Sequence, residues 1–470
     1  MLEHFFGLKK HGTTVRVEFS AALTTFFSMA YILMVNAEMF SNPLGDGSNP
    51  LGVSYGAVYM ATALTAVAGT LLIGLTSNLP LAQACGMGLN AFFVYTACIG
   101  FGLTYANALT LVLLDGLIFI LLTVTGLRKR IFDAIPAQVR AAISAGIGLF
   151  IAFMGMQNVG FVVSDAATCV TLGSFNLLRT SWAEIMPIVV MVAAVLLIAV
   201  LSARKVRCSV FWGMMGATAL YYLLGLTVPG FYANLSVVTV SPAQAFSEFL
   251  DQSFLLIFRE GFDFSAYLAA HGGANLALTI VTSALAFCMV DMFDTLGTLY
   301  AACERGGLLD EQGEIPNMDR AMLSDAAATV MGSMCGISTV TTFVESAAGV
   351  VEGGRTGLTS VFTALMFLAA MLLSPLAQLV PACATAAVLV YIGLLMAASV
   401  SSIDWTDVRS AVPAFLTMVI MPFTFNISYG IAFGMIAYVV ISALTGRAKE
   451  LKPASLAVTA MFMAMLLLTH

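Results

Sequence analysis

Gly336-Ile337-Ser338-Thr339-Val340-Thr341-Thr342-Phe343-Val344-Glu345-Ser346-Ala347-Ala348-Gly349 is the stretch on which the fold turns. Its first half is a run of Ser, Thr and Val residues that favour extended backbone. Its second half is compatible with a helix, and a glutamate stands at the junction. The pattern predicts a short extended segment running into a half-helix. Residues 78–95, Asn-Leu-Pro-Leu-Ala-Gln-Ala-Cys-Gly-Met-Gly-Leu-Asn-Ala-Phe-Phe-Val-Tyr, read the same way, because Pro80, Gly86 and Gly88 interrupt the first half. The half-helices are expected to begin near Cys85–Met87 and Thr342–Val344, with free N–H groups and positive dipole ends turned inward. The competing explanation is a glycine kink with Ser/Thr back-bonding.

The rest of the chain says where such segments could exist. Of its 470 residues 60% are hydrophobic and only 9% charged, whereas a soluble domain is about a quarter charged. The net charge of −6 and the lack of long basic runs exclude a nucleic-acid binder. The eight cysteines show no C-x-x-C spacing, hence no disulfide frame or zinc pattern. The chain belongs in a bilayer, where non-helical backbone survives only against protein or a water-filled cavity.

Crossing segments need about 20 apolar residues. Such stretches fall near 19–39, 54–77, 82–99, 103–126, 138–158, 184–202 and 208–228. After a wetter connection over 229–274, they recur near 276–300, 320–336, 338–352, 357–378, 383–401, 411–426 and 428–445, with an extra apolar segment at 454–469. With the N-terminus placed in the cytoplasm, all of the 19 Lys and Arg residues except Arg179 and Arg259 fall on the inner side, as the positive-inside rule requires. Seven crossings per half would make two similar halves inverted relative to each other. A trace of such a repeat exists: Pro136 and Pro381 stand 245 positions apart, and at that offset Ala141, Ala142, Ile147, Gly148, Leu149 and Ala152 meet the identical residues Ala386, Ala387, Ile392, Gly393, Leu394 and Ala397. The expected fold is an all-α polytopic membrane protein, a seven-plus-seven transmembrane inverted repeat with two short extended segments leading into half-helices. Paired interrupted segments in two such halves point to the binding site of a secondary transporter.

Carboxylates within the spans need a reason, since each costs about 2.5–3.5 kcal/mol at mid-helix on insertion scales. Asp291 and Asp294 lie in one span, Asp325 in the next and Glu345 in the broken one. Asp291, Thr295 and Thr298 are expected to share a helical face, while Asp115 and Glu38 read as structural or interfacial. All four histidines lie outside the spans. If protons drive transport, carboxylates must carry them, and Asp294, Asp325 and Glu345 are the candidates. Phe92, Phe93 and Phe343 flank the breaks and could stack on a flat ring.

These stretches are similar to a known family. His11-Gly12-Thr13-Thr14-Val15-Arg16, Gly86-Met87-Gly88-Leu89-Asn90-Ala91-Phe92-Phe93, Val290-Asp291-Met292-Phe293-Asp294-Thr295-Leu296-Gly297-Thr298-Leu299, residues 338–349 and Gly353-Gly354-Arg355-Thr356-Gly357 resemble the adenine/guanine/hypoxanthine permeases. These form the AzgA-like branch of the nucleobase–cation symporter-2 group, and the likeness runs in order from about residue 8 onward. It implies a core domain (17–126 and 276–378) moving against a gate domain (136–228 and 381–446) in an elevator-like cycle. It implies a proton-coupled importer of purine bases in the plasma membrane, with no cofactor beyond the coupling ion, no enzymatic activity and, by analogy, a homodimer. The base-binding acids it implies are Asp291 and Glu345, with Thr295 one turn on. The expected substrate site is completed by Ser346, Phe343, Gly86, Met87 and Asn90. The family commonly carries proline just before Gly86, where this chain has Cys85. The sequence versions favour hypoxanthine and guanine over adenine. A pyrimidine or anion carrier of the same fold, a channel, or a polytopic membrane enzyme are the rival readings.

Overall fold

A computed structural model describes residues 2–126, 136–165, 168–232, 240–309, 315–447 and 451–469. Among them, nine helices are long and apolar enough to cross a membrane. Shorter helices and two broken segments complete the pattern, and the fourteen spans come in the expected order. Span 1 is Val15–Ser41, kinked at Ala30, span 2 is Tyr55–Thr76, span 4 is Tyr105–Thr125, span 5 is Ala137–Asn158 and span 6 is Trp182–Ala203. Span 7 is Ser209–Gly225, span 8 is Gly273–Gly306 and span 9 is Met318–Cys335. Spans 11 to 14 are Gly357–Ala377, Ala382–Ser402, Val408–Thr424 and Ile427–Leu444. The additional helix Pro453–Thr469 follows them.

The two interrupted segments form spans 3 and 10. Strand β1 (Gln83–Cys85) leads into a helix that starts at Met87 and widens into a π-helix over Phe92–Gly100. Strands β2 (Val162–Asp165) and β3 (Cys169–Leu172) form a hairpin between spans 5 and 6, which the sequence reading did not anticipate. Strand β4 (Val340–Thr342) leads through a 3₁₀ turn at Val344–Ser346 into the helix Ala347–Glu352. β1 and β4 pair antiparallel, Gln83 opposite Thr342 and Cys85 opposite Val340. The ladder is extended by Gly86 N–H donating to Thr339 O at 3.1 Å and Phe343 N–H to Ala82 O at 3.0 Å. Each strand thus satisfies the other's backbone groups, as the bilayer interior demands. The departure at Cys85 does not displace the helix start.

Local chemistry sets where elements stop. Gly336 takes a left-handed φ of 85° at the end of span 9 and turns the chain into β4. A side chain there would strike Ser253 and the Tyr105 hydroxyl, which donates to the Gly336 carbonyl. Thr104 and Asn426 cap spans 4 and 14 by accepting from Asn107 N–H (3.1 Å) and Tyr429 N–H (3.2 Å).

The repeat is visible in the packing. Spans 5 and 12 start at Ala137 and Ala382, after Pro136 and Pro381 in N-cap positions. They cross back to back at Gly148 and Gly393, where a Cβ on either would collide with the other's carbonyl oxygen. At the repeat offset of 245, these two touching glycines are equivalent residues. The wet connection of 229–274 is partly helical. Pro242–Gln252 lies on span 2, with Ser54 donating to Glu248 at 2.6 Å; Ile257–Gly261 and Ser265–His271 follow.

Candidate functional site

A cavity of about 1810 Å³ opens where the tips of the two half-helices meet. Its mouth carries Arg140, Lys205, Arg207 and Arg320, so it opens toward the face that holds most of the basic residues. At its inner end stand Gly86 and Met87 on one tip, Phe343 and Glu345 on the other, Asp294 of span 8 and Tyr31 of span 1. The first-turn N–H groups of both half-helices lack intrahelical partners, so the tips add donors to a wall that also presents two carboxylates.

Glu345 is held from behind. The Tyr31 hydroxyl, fully buried at the span 1 kink, donates to its Oε1 at 2.7 Å. Asp294 faces the opposite tip, since a Cβ placed on Gly86 would lie 3.5 Å from Asp294 Oδ2 and 2.9 Å from Thr341 Oγ1. That crowding explains why the turn is a glycine.

Asp325 lies behind the site, wholly buried and well satisfied. Gln83 Nε2 donates to it at 2.8 Å, Thr342 Oγ1 at 3.1 Å, and Thr295 donates to its other oxygen. It ties spans 8 and 9 to both strands. Ser346 is likewise structural: its hydroxyl accepts from Ala82 N–H at 3.0 Å and can donate to Ala82 O at 3.3 Å. Asn90 accepts from the Ser338 hydroxyl. Asp325, Ser346, Asn90 and Thr295 hold the tips in place and do not line the cavity.

Four of the expected substrate residues, Thr295, Ser346, Asn90 and Asp291, are corrected: none lines the cavity. Asp291 does not reach the cavity. It is fully buried one turn before Asp294 on span 8, beside Asp115 of span 4 and Asp325. The carboxyl oxygens of Asp291 and Asp115 have no hydrogen-bond partner among the described residues. Three residues on a helix leave the two side chains about 60° apart and one turn offset along the axis, so a modest rotation suffices to give Asp294 to the cavity and Asp291 to Asp115. Val290, Asp294 and Thr298 form the cavity face, whereas Asp291 and Thr295 face the neighbouring spans. Phe343 lines the cavity, but Phe92 and Phe93 are packed away against Phe287 and Phe40. Tyr31 and Gln83 were missed; a lone phenol in mid-span and a lone amide before the Gly-Met-Gly turn were the available signals.

Fourteen spans in two inverted halves, with broken helices paired across a central cavity, define a multi-pass membrane transporter. The solved transmembrane domain of a cyanobacterium bicarbonate transporter, BicA, shares this fold, with a TM-score of 0.60 at 15% identity over 90% of this chain and 97% of that one. Sequence comparison goes further: residues 16–433 match the Permease family, and the chain belongs to it. It is 37% identical to the adenine permease AdeP of Escherichia coli, with 98% of this chain and 95% of that protein aligned. It is 36% identical to the guanine/hypoxanthine permease PbuG of Bacillus subtilis, with 96% of each aligned.

Proposed function

We propose that this protein imports purine nucleobases across the plasma membrane, hypoxanthine and guanine ahead of adenine, driven by protons. The observation that carries the reading is the pair Asp294 and Glu345 facing one cavity between two half-helix tips. An oxopurine offers ring N–H donors, which carboxylates accept, and a carbonyl oxygen, which the free N–H groups of a tip can bind. Phe343 provides a face for stacking. Two carboxylates in the cavity argue against the anion-carrier alternative, whose substrate they would repel.

In this reading Asp294 takes the place first given to Asp291. Asp294 and Glu345 accept from the base, and Asp325, Asp294 and Glu345 remain the acids whose proton occupancy couples to transport. The N-terminus faces the cytoplasm, so the cavity is open inward. Spans 1–4 and 8–11 form a core that carries the tips past a gate made of spans 5–7 and 12–14. The packing of Gly88 on Ile147 is one contact across that boundary.

The test is uptake of radiolabelled hypoxanthine, guanine and adenine by cells that lack their own purine permeases. Wild-type protein should accumulate a base, with competition by purines far stronger than by uracil or sulfate, and a protonophore should collapse the accumulation. Glu345→Gln should abolish accumulation at an unchanged amount of protein in the membrane. Undiminished uptake by that variant would reject the assignment.

A further inference from the structure

A second cavity, of about 420 Å³, lies at the far end of the same helices, within the about 300–1,000 Å³ usual for small-molecule sites. Span 5 contributes Arg140 to Ile147 to the central cavity and Met154 to Asn158 to this one. Span 3 gives Gly86–Gly88 to the first and Tyr95–Phe101 to the second, and span 8 gives Asp294 to the first and Thr279 to the second. The second cavity therefore lies on the face opposite the basic mouth, in the same seam between spans 1–4 and 8–11 and spans 5–7 and 12–14.

Its chemistry differs from that of the central site. Tyr95, Phe101, Tyr267, Phe425 and Tyr429 supply rings, and Gln157, Asn158 and Asn426 supply amides. Among the described residues that line it there is no Asp, Glu, Lys or Arg, and His271, stacked on Tyr267 at 4.4 Å, is its one imidazole. Rings stack on any flat heterocycle, and an amide both donates and accepts. Such a wall takes an uncharged nitrogen heterocycle through its faces and edges without demanding one pattern of donors. On span 5, between Ile147 of the central cavity and Met154 of the second, stands Phe150, fully buried, with its ring edge-on to Tyr95 (5.9 Å) and to Phe425 (6.0 Å). A single aromatic side chain thus bridges a wall of span 3 and the junction of spans 13 and 14.

We propose that this second cavity is an outer binding site for the same class of ligand, a neutral flat purine, that holds the base before it passes Phe150 to the carboxylates. The proposal rests on the purine reading above. The outer site binds more weakly and with less discrimination, because it lacks the two carboxylates that read ring N–H groups. Selection among bases then belongs to the central site, and the outer one raises local concentration of heterocycles in general.

Equilibrium dialysis of radiolabelled hypoxanthine against the purified full-length protein in detergent tests it. The wild type should bind two molecules per chain in a tight and a weak component. Glu345→Gln should remove the tight component and leave the weak one. Gln157→Leu, which keeps bulk but removes an amide, and Tyr429→Leu, which removes a ring, should each weaken the weak component about tenfold and leave the tight one within about twofold. Circular dichroism and gel-filtration profiles identify any variant that fails to fold, and each variant stands in for the other. Saturation at one molecule per chain, with none bound by Glu345→Gln, overturns the outer site and leaves the proposed function standing. A weak component untouched by both leucine variants also overturns it. A wild type that binds no purine at all overturns both readings.

Discussion

At the scale of the residue, the decisive fact is which of two aspartates, three positions apart, faces the cavity. Both were legible in the sequence as acids in an apolar span; which of these two neighbours meets the cavity was not. Choosing between the 291/295/298 and 290/294/298 faces requires knowing what packs against each, and that is settled by spans 4 and 9, remote in sequence. Asp294→Asn should weaken purine binding about ten- to hundredfold, the value of about 1.5–3 kcal/mol for a hydrogen bond to a charged group. Asp291→Asn should leave binding within about threefold, as read by the same dialysis. The second variant should also raise the melting temperature of the detergent-solubilised protein, because an amide can donate to the otherwise unsatisfied Asp115 carboxyl. Tyr31→Phe removes only the hydroxyl that orients Glu345 and is expected to raise the apparent KM for uptake several-fold, about 1 kcal/mol, with the chain still inserted. Outside the spans, Asp407 caps span 13 and accepts from the Arg409 side chain at 2.8 Å, and these hydrogen bonds hold its carboxyl below the usual carboxylate range. A folded pKa below the unfolded one means that this contribution is present at neutral pH and is lost as pH falls through the folded value. Arg409→Gln should move the Asp407 titration upward in an NMR pH series.

At the scale of the element, the broken spans were the most legible part of the molecule. Runs of Ser, Thr and Val, or Pro and closely spaced Gly, cannot sustain a helix in lipid, and the strands at 83–85 and 340–342 fall where those residues predicted them. What composition could not give was their mutual pairing, or that Gln83, Thr295 and Thr342 would gather on Asp325. The repeat at an offset of 245 was also visible as letters, and its packing gives it a physical meaning at Gly148 and Gly393. Gly393→Val should press a branched side chain into the carbonyl of Gly148. The expected loss is about 1–3 kcal/mol, measured as a lower denaturation midpoint in detergent. The π-helical widening of span 3 and the β2–β3 hairpin had no sequence signal that distinguished them from ordinary helix and loop.

At the scale of the whole molecule, the order of the apolar helices followed from hydropathy, because it responds to the bilayer rather than to details of packing. The cavity itself was inferable only as a consequence of the breaks. Across its mouth Arg207 of the span 7 start pairs with Glu352 at the end of span 10 at 2.8 Å. With the Arg207 side chain 70% exposed, such a pair adds about 0–1 kcal/mol. Glu352→Gln should therefore shift the melting temperature by no more than about 2 °C.

The antiparallel joint of β1 and β4 has a consequence for how this protein can change over time. Main-chain amides make the joint, so substitutions around its rim can alter which base is accepted while the seat stays put. A residue inserted into or deleted from either strand would slip the pairing by one and turn every inward side chain outward. Descendants of this chain should therefore vary freely in letter but hardly at all in length across those few positions.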